Sequence, residues 1–155
     1  VSVEMFEHMQ NYEMLMENIS SWLKPKGKLF IHIFCHQKFA YFFSTEGSDN
    51  WMGRHFFTGG LMPSEDLLLN FQKDLSIDNQ WRWNGCHYKQ TSNAWLKNMD
   101  IEKFNILPIL EQVYGRKERN IWFQRWRIFF MACAELFAYK RGSQWLVAHY
   151  LFKKK

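Results

Sequence analysis

A nearly continuous apolar segment at residues 28–35 restricts the fold of this chain more than any other feature. A run of this length between turn residues is typical of a β-strand buried on both faces of a parallel sheet. Before it, residues 12–23 carry apolar side chains at helical spacing, and Pro25 and Gly27 end that helix. With the strand end at residues 1–3, this order of strand, helix and strand predicts a right-handed βαβ unit.

Downstream of this unit, the pattern predicts an insertion followed by further strands and helices. Residues 36–66 lack periodicity but are rich in aromatic and turn residues. This indicates a substrate-side insertion, bounded at 38–66, that forms a lid or a pocket wall. Ser64 is predicted to cap a short helix that ends at Phe71. The remaining predicted elements are strands at 75–83 and 145–152 and helices from 91 to about 99, onward to 114, and from 117 to 140.

The chain shows no internal boundary. No repeat, low-complexity tract or linker interrupts the 155 residues, which we therefore predict to form one domain. The sequence opens on a strand end, and a buried strand needs hydrogen-bonded neighbours. We therefore expect residues 1–155 to be the carboxyl-terminal part of a larger α/β enzyme whose active site lies close to the first residues.

The composition indicates a folded protein that is rich in aromatic side chains. Hydrophobic residues make up 47% of the chain and aromatic residues 19%, enough either to fill a large core or to line a pocket for a flat apolar ligand. The net charge of +5 comes partly from the basic tail at residues 153–155, and the other basic residues are interleaved with acids. We therefore expect a solvated surface and no nucleic-acid partner.

The cysteines and the apolar runs bear on the cellular compartment. Cys35, Cys86 and Cys133 are far apart and form no C-x-x-C pair. This indicates reduced thiols and a cytoplasmic protein rather than a disulfide framework or a zinc site. No apolar run approaches the roughly 18 residues of a membrane span, so we expect no stable membrane insertion.

Glu4, Glu7 and His8 are the first candidates for chemistry. Their i, i+3, i+4 spacing places them on one side of a helical turn directly after a strand. Ligands of open α/β sheets bind beyond the carboxyl ends of the strands. The alternative is a helix amino terminus that carries acids because the helix dipole favours them. The sequence leaves both interpretations open.

His32 and Tyr88 are candidates for the same rim of the sheet. His32 interrupts an apolar strand near its carboxyl end, where a buried ring needs a partner, and we expect that partner to be Glu7. A core histidine with satisfied hydrogen bonds is the alternative. Tyr88 follows another predicted strand end. The other histidines show no metal-ligand spacing, and we predict no metal site.

Five segments resemble the coclaurine N-methyltransferase family, plant alkaloid enzymes within the cyclopropane-fatty-acyl-phospholipid synthase superfamily. These segments are VEMFEHM at 3–9, WLKPKGKLFIH at 22–32, RHFFTGG at 54–60, MPS at 62–64 and FFMACAELF at 129–137. Because they match in the correct order over nearly all of the chain, together they are far more specific than any one motif.

The resemblance implies an α/β fold, namely the carboxyl-terminal part of a class I methyltransferase with a Rossmann-like seven-stranded sheet. Such an enzyme uses S-adenosylmethionine as methyl donor, and the glycine-rich loop and acidic residue that grip this cofactor would lie upstream of Val1. The implied substrate is a small cyclic or aryl-alkyl amine that is methylated on nitrogen.

This interpretation gives the candidate residues their roles. Glu4 and Glu7 attract and orient the protonated amine, and His8 is the general base. The aromatic face of the long helix either contacts the substrate rings or is a plain core stripe. The residues predicted to bind the substrate are His32, Tyr88, Trp122, Trp126 and Phe130.

Two alternatives stay open. In the lipid branch of the superfamily, residues that align with Glu7, His32 and Tyr88 hold a bicarbonate ion that acts as base while a methylene group is added to an unsaturated phospholipid. The second alternative is a non-catalytic, aromatic-rich interaction module. The amine branch is favoured because its members resemble this chain in carrying Glu4, Glu7 and His8 together.

Overall fold

The structure is a computed structural model that describes all residues from Val1 to Lys155. The chain forms two compact units, a sheet unit of residues 1–84 and 143–155 and a helical unit of residues 85–142. The sequence did not separate them, because Asn84–Gly85 and Gly142 have the composition of ordinary turns rather than of a linker.

A four-stranded mixed sheet organises the sheet unit. Its strands lie in the order β1 (Ser2–Val3), β2 (Lys28–His36), β6 (Trp145–Lys154) and β5 (Leu75–Trp83). β1 pairs with β2 in parallel, and β6 is antiparallel to both of its neighbours. Helix α1 (Tyr12–Trp22) connects β1 to β2, which confirms the predicted βαβ unit.

One face of the sheet packs on α1 and forms the main core. Asn11 caps α1, since its side chain accepts a hydrogen bond of 3.0 Å from the Met14 amide, as expected for an amino-terminal cap. Successive side chains of a strand point to opposite faces, so alternate residues of β2 enter this core. The core residues from α1 and β2 are Tyr12, Leu15, Met16, Ile19, Leu29, Ile31, Ile33 and Cys35.

The opposite face of the sheet is aromatic and polar. In β2 it carries Phe30, His32 and Phe34, and in β6 it carries His149, whose ring lies 5.1 Å from that of Phe30 between centroids. The carboxyl ends of β1 and β2 lie at the same edge because the two strands are parallel. This edge and this face hold the candidate site.

The predicted insertion is partly regular. It contains a two-residue antiparallel pair, β3 (Tyr41–Phe42) with β4 (Leu61–Met62), and a short helix, α2 (Trp51–His55). The predicted helix capped by Ser64 is wrong. Its segment holds only a 3₁₀ turn at Leu67–Asn70, and the Ser64 hydroxyl donates instead to the Asp66 carboxylate, at 2.6 Å.

The helical unit consists of α3 (Gly85–Ile101), α4 (Lys103–Tyr114) and α5 (Arg119–Gly142). α3 begins six residues before the predicted start at 91, because it follows β5 with only Asn84 between them. α5 leaves helical geometry near its end, where Lys140 and Arg141 have φ of 46° and 57°. None of the helices has the length and apolar character needed to cross a membrane.

Candidate active site

Glu4 is held in an uncommon backbone conformation directly after β1. Its φ is 49°, in the left-handed region that residues other than glycine seldom adopt. The Glu4 amide donates a hydrogen bond of 3.0 Å to the carbonyl oxygen of His32. Such strained residues cluster at functional sites because the surrounding structure holds them there. The conformation turns the chain away from the sheet edge and into the next turn.

Glu7 lies in that turn, a 3₁₀ helix at Phe6–His8, and its carboxyl group is buried. Its side chain is 2% exposed, and Oε2 has no hydrogen-bond partner. Burial, and after it the nearby charge of Glu4, raise the pKa of Glu7 from 4.5 to about 7, against smaller opposing effects of a backbone hydrogen bond and of His32. A carboxyl group in this state exchanges protons near neutral pH.

His8 lies beside Glu7 and is open to solvent. Its Nε2 is 3.7 Å from Glu7 Oε1, and half of its side chain is exposed. The imidazole stacks on Phe57 with ring centroids 6.0 Å apart. Within the predicted trio, the carboxyl group of Glu7 is therefore buried, whereas the imidazole of His8 is accessible.

The insertion covers this turn, as a pocket wall would. Phe57 stacks on Phe43 at 4.8 Å between centroids and meets Phe34 of β2 edge-on at 5.8 Å. Gly60 lies so close to the turn that an added Cβ atom would be 3.2 Å from the backbone oxygen of Glu7. These contacts place the aromatic residues of the insertion against Glu7 and His8.

The carboxyl group that faces the His32 ring is that of Glu4, and the predicted partner, Glu7, was wrong. His32 Nε2 lies 3.2 Å from Glu4 Oε1. The reason is the register of the sheet: His32 is paired with Val3 in the parallel ladder, so the next residue, Glu4, reaches its ring. His32 acts on Glu7 electrostatically and slightly lowers the pKa of its carboxyl group.

The other side of His32 contacts residues that the sequence analysis missed. His32 Nδ1 lies 2.8 Å from Nε2 of His149, and the indole nitrogen of Trp83 donates to Nδ1 of His149 at 2.9 Å. One sequence signal was present, since His149 interrupts an apolar strand as His32 does. The pairing of β2 with β6 that brings the two rings together was not deducible from either strand alone.

Tyr88 belongs to the helical unit, a few residues after the end of β5. It lies in the first turns of α3, and its ring packs edge-on against Phe137 at 4.4 Å and against Trp95 at 6.2 Å between centroids. Tyr88 does follow a strand end, as predicted, since β5 ends at Trp83, and α3 begins at Gly85.

The helical unit contains an apolar cavity of about 820 Å³. Trp126 and Phe130 of α5 contribute to its wall, and so do Trp95 of α3 and Tyr114 of α4. Trp122 does not line this cavity and stacks on Tyr114 with ring centroids 3.9 Å apart. Of the three predicted substrate-contacting residues of the long helix, two therefore face an open apolar space.

The sheet unit thus combines features that suit a cationic substrate with a removable proton. Two carboxyl groups, Glu4 and Glu7, attract positive charge, and the elevated pKa of Glu7 allows it to accept a proton near neutral pH. The exposed imidazole of His8 can accept a proton directly from a bound ligand.

Comparisons with known proteins agree with this description. The model of the family "Mycolic acid cyclopropane synthetase" matches residues 1–145. (S)-Coclaurine N-methyltransferase of Papaver somniferum is 40% identical over 157 aligned positions, which cover 99% of this chain and 45% of that enzyme. The chain thus spans about half the length of the curated relatives it matches.

Solved structures match over the same extent. A crystal structure of coclaurine N-methyltransferase bound to N-methylheliamine and SAH superposes with a TM-score of 0.87 at 37% identity, covering 98% of this chain and 46% of that one. A mycolic acid cyclopropane synthase complexed with SAH and CTAB matches with a TM-score of 0.71 at 15% identity, over 98% of this chain and 53% of that one. These matches confirm the predicted α/β fold class.

Proposed function

Because the chain belongs to the mycolic acid cyclopropane synthetase family, we propose that it is the carboxyl-terminal part of an S-adenosylmethionine-dependent N-methyltransferase. The proposed acceptor is a small cyclic or aryl-alkyl amine. The observation that carries this proposal is the buried carboxyl group of Glu7, with a pKa of about 7, beside Glu4 and His8. The likeness to an enzyme named for N-methylation, at 40% identity, supports it.

The chemistry of amine methylation explains why such residues are needed. An alkyl amine is mostly protonated near neutral pH, and its nitrogen has no lone pair for attack until that proton leaves. Glu4 and Glu7 attract the ammonium ion and hold it near the turn. Because Glu7 is shielded from water, its interaction with a cation is stronger than at a solvated surface.

His8 then acts as the general base. Its ring is accessible, so it can reach the ammonium proton. Oε1 of Glu7 lies 3.7 Å from its Nε2. A carboxylate beside an imidazole stabilises the imidazolium that forms when the proton arrives. The rest of the rate comes from holding the nitrogen in line with the methyl group.

The methyl donor supplies an electrophilic carbon on a sulfonium sulfur. This chain contains no G-x-G-x-x-G motif or other glycine-rich phosphate or nucleotide loop, and its buried orphan oxygen, Glu7 Oε2, suits a cationic acceptor. We therefore assign donor binding to the half of the relatives that this chain does not span.

The contacts of His32 weigh against the alternative in which a bicarbonate ion acts as base. Both ring nitrogens of His32 already have partners, Glu4 and His149, and Tyr88 packs against Phe137 in the helical unit. An ion bound by His32 would have to displace one of its two partners.

A label-transfer assay tests the proposed function. The complete enzyme, meaning this chain together with the upstream half that its relatives possess, is given S-adenosylmethionine with a labelled methyl group. It is offered an aryl-alkyl amine and, separately, vesicles of an unsaturated phospholipid. Label on the amine nitrogen is expected. Label in the acyl chain would establish the lipid alternative, and no transfer to either would reject methyl transfer to these acceptors.

Trp126 provides a prediction about specificity. If the apolar cavity of the helical unit binds the flat part of the substrate, Trp126→Ala in the complete enzyme should raise the KM for a flat aromatic amine about five- to tenfold. This corresponds to roughly 1 kcal/mol of lost stacking. The KM for a small aliphatic amine should change much less.

Trp122→Ala is the matched control for this prediction. The same substitution one helical turn earlier removes an indole that stacks on Tyr114 and does not line the cavity, so both KM values should stay near those of the wild type. Equal losses for both amines in Trp126→Ala, with a lowered melting temperature, would show that Trp126 serves only the helical core.

A further inference from the structure

A row of rings, hydrogen-bonded to one another, crosses the sheet from His32, whose Nε2 faces the carboxyl group of Glu4 at 3.2 Å, to an indole on β5. We propose that His149 and Trp83 are positioning residues, which hold the Nε2 proton of His32 toward Glu4 and so keep that carboxyl group in place for the cationic substrate. This inference deepens the proposed function and rests on it, since the role of Glu4 in attracting the amine is part of that proposal.

The donor and the acceptor of each hydrogen bond in the row follow from Trp83, which stands at its end. The indole N–H of Trp83 can only donate, so Nδ1 of His149, 2.9 Å away, must accept and carries no proton. The proton of a neutral His149 then lies on Nε2 and is donated over 2.8 Å to Nδ1 of His32. The proton of His32 in turn lies on Nε2, which faces Glu4 at 3.2 Å.

This arrangement leaves one protonation pattern. A second proton on His32 would sit on Nδ1 and face the proton on His149 Nε2, so the bond between the rings would be lost. Both imidazoles are therefore neutral in the intact row, and the Nε2 proton of His32 faces Oε1 of Glu4. Burial, together with the neighbouring His32, lowers the pKa of His149, in agreement with a neutral ring.

Ring packing holds the row in place. His149 lies against His32 with centroids 4.8 Å apart, meets Phe30 edge-on at 5.1 Å and contacts Trp83 at 5.7 Å. All four rings come from neighbouring strands, β2, β6 and β5, whose ladders fix their spacing. Because His149 cannot rotate freely, the tautomer selected by Trp83 is passed on to His32.

A double-mutant cycle on the complete enzyme tests the proposal. His149→Phe keeps a ring of similar shape but removes both nitrogens, so kcat/KM for the amine should fall roughly 2- to 10-fold, the range for a lost hydrogen bond between neutral groups. On a Glu4→Gln background the same change should cause little further loss. An equal loss on both backgrounds would show that His149 acts only through packing, and would overturn the proposal.

Two further variants separate positioning from packing. His149→Gln restores an amide N–H toward His32 and should recover a large part of the activity lost in His149→Phe. Trp83→Phe removes the indole N–H and should lower kcat/KM in the same direction. Trp22→Phe is its control, because Trp22 is an exposed indole at the end of α1 and takes no part in the row. Equal effects of the two tryptophan changes would contradict the role of Trp83.

¹⁵N NMR of histidine-labelled enzyme identifies which ring nitrogen of each histidine carries the proton, and it needs no activity assay. The proposal requires His149 and His32 to be neutral with the proton on Nε2, and requires Trp83→Phe to shift His149 away from this state. A proton on Nδ1 of His149 in the wild type would overturn it. If no methyl transfer is found, the proposed function fails, whereas these spectra still decide whether the row has the stated direction.

Discussion

Replacing His8 with alanine in the complete enzyme should lower kcat by the ~10²–10⁴-fold that is typical of a lost general base. The ring is half exposed and stacks only on Phe57 at 6.0 Å, so its removal should leave the folded structure nearly intact. Without it, a bound ammonium ion has no accessible acceptor for its proton. Steady-state rates with the amine substrate, beside a thermal melt, measure both effects.

His87→Ala is the matched control for this change. His87 is an exposed residue of α3, and it has no role in the proposed reaction, so this variant should keep the wild-type rate. A His8→Ala enzyme that turns over at full rate would remove His8 from the mechanism.

Replacing Glu7 with glutamine should lower activity and, at the same time, stabilise the protein in a pH-dependent way. The loss in kcat/KM should be about 10²-fold, since the amide carries no charge and accepts no proton. The pKa of Glu7 is raised from 4.5 to about 7 in the folded state. Between these values the folded protein holds a proton that the unfolded chain has released, so its stability falls as the pH rises.

The direction of this pH dependence determines at which pH values the free energy of unfolding should be compared. At pH 8 the ionised Glu7 destabilises the folded state by about 3 kcal/mol, and Glu7→Gln should recover up to that amount in the free energy of unfolding. At pH 4, where Glu7 is protonated in both states, the two proteins should differ little. Denaturant unfolding at both pH values measures this, with Glu17→Gln on the exposed face of α1 as the control. An equal change at both pH values would refute the elevated pKa.

The local sequence was sufficient to predict most of the fold. The apolar run at 28–35, the helix before it and the strand at 145–152 all carry periodic patterns that depend on residues close in sequence, and each element forms where it was predicted. The errors arose at boundaries. Ser64 and the start of α3 depend on which hydrogen-bond partner or neighbouring element competes for the residue, and such competition is decided by the folded structure.

The candidate site was predictable only in part. Glu4, Glu7 and His8 lie within five residues of the sequence, so their proximity could be inferred, but Glu4 lies outside the 3₁₀ turn that holds Glu7 and His8. The partners of His32 could not be inferred, because they depend on the ladder register that sets Val3 and His149 beside it. His149 lies 117 residues away in the chain, and only the pairing of β2 with β6 brings its ring to His32.

The most direct test of the central claim, that the Glu7–His8 pair removes the proton from a bound ammonium ion, uses amines of one shape and graded basicity. Their ammonium pKa values should lie on both sides of the assay pH. In the wild-type enzyme, kcat/KM on total amine should stay level or rise with basicity, because deprotonation occurs on the enzyme. In His8→Ala it should fall in proportion to the free-base fraction. A wild-type enzyme whose kcat/KM also tracks the free-base fraction would show that the amine arrives already deprotonated, and would contradict the account.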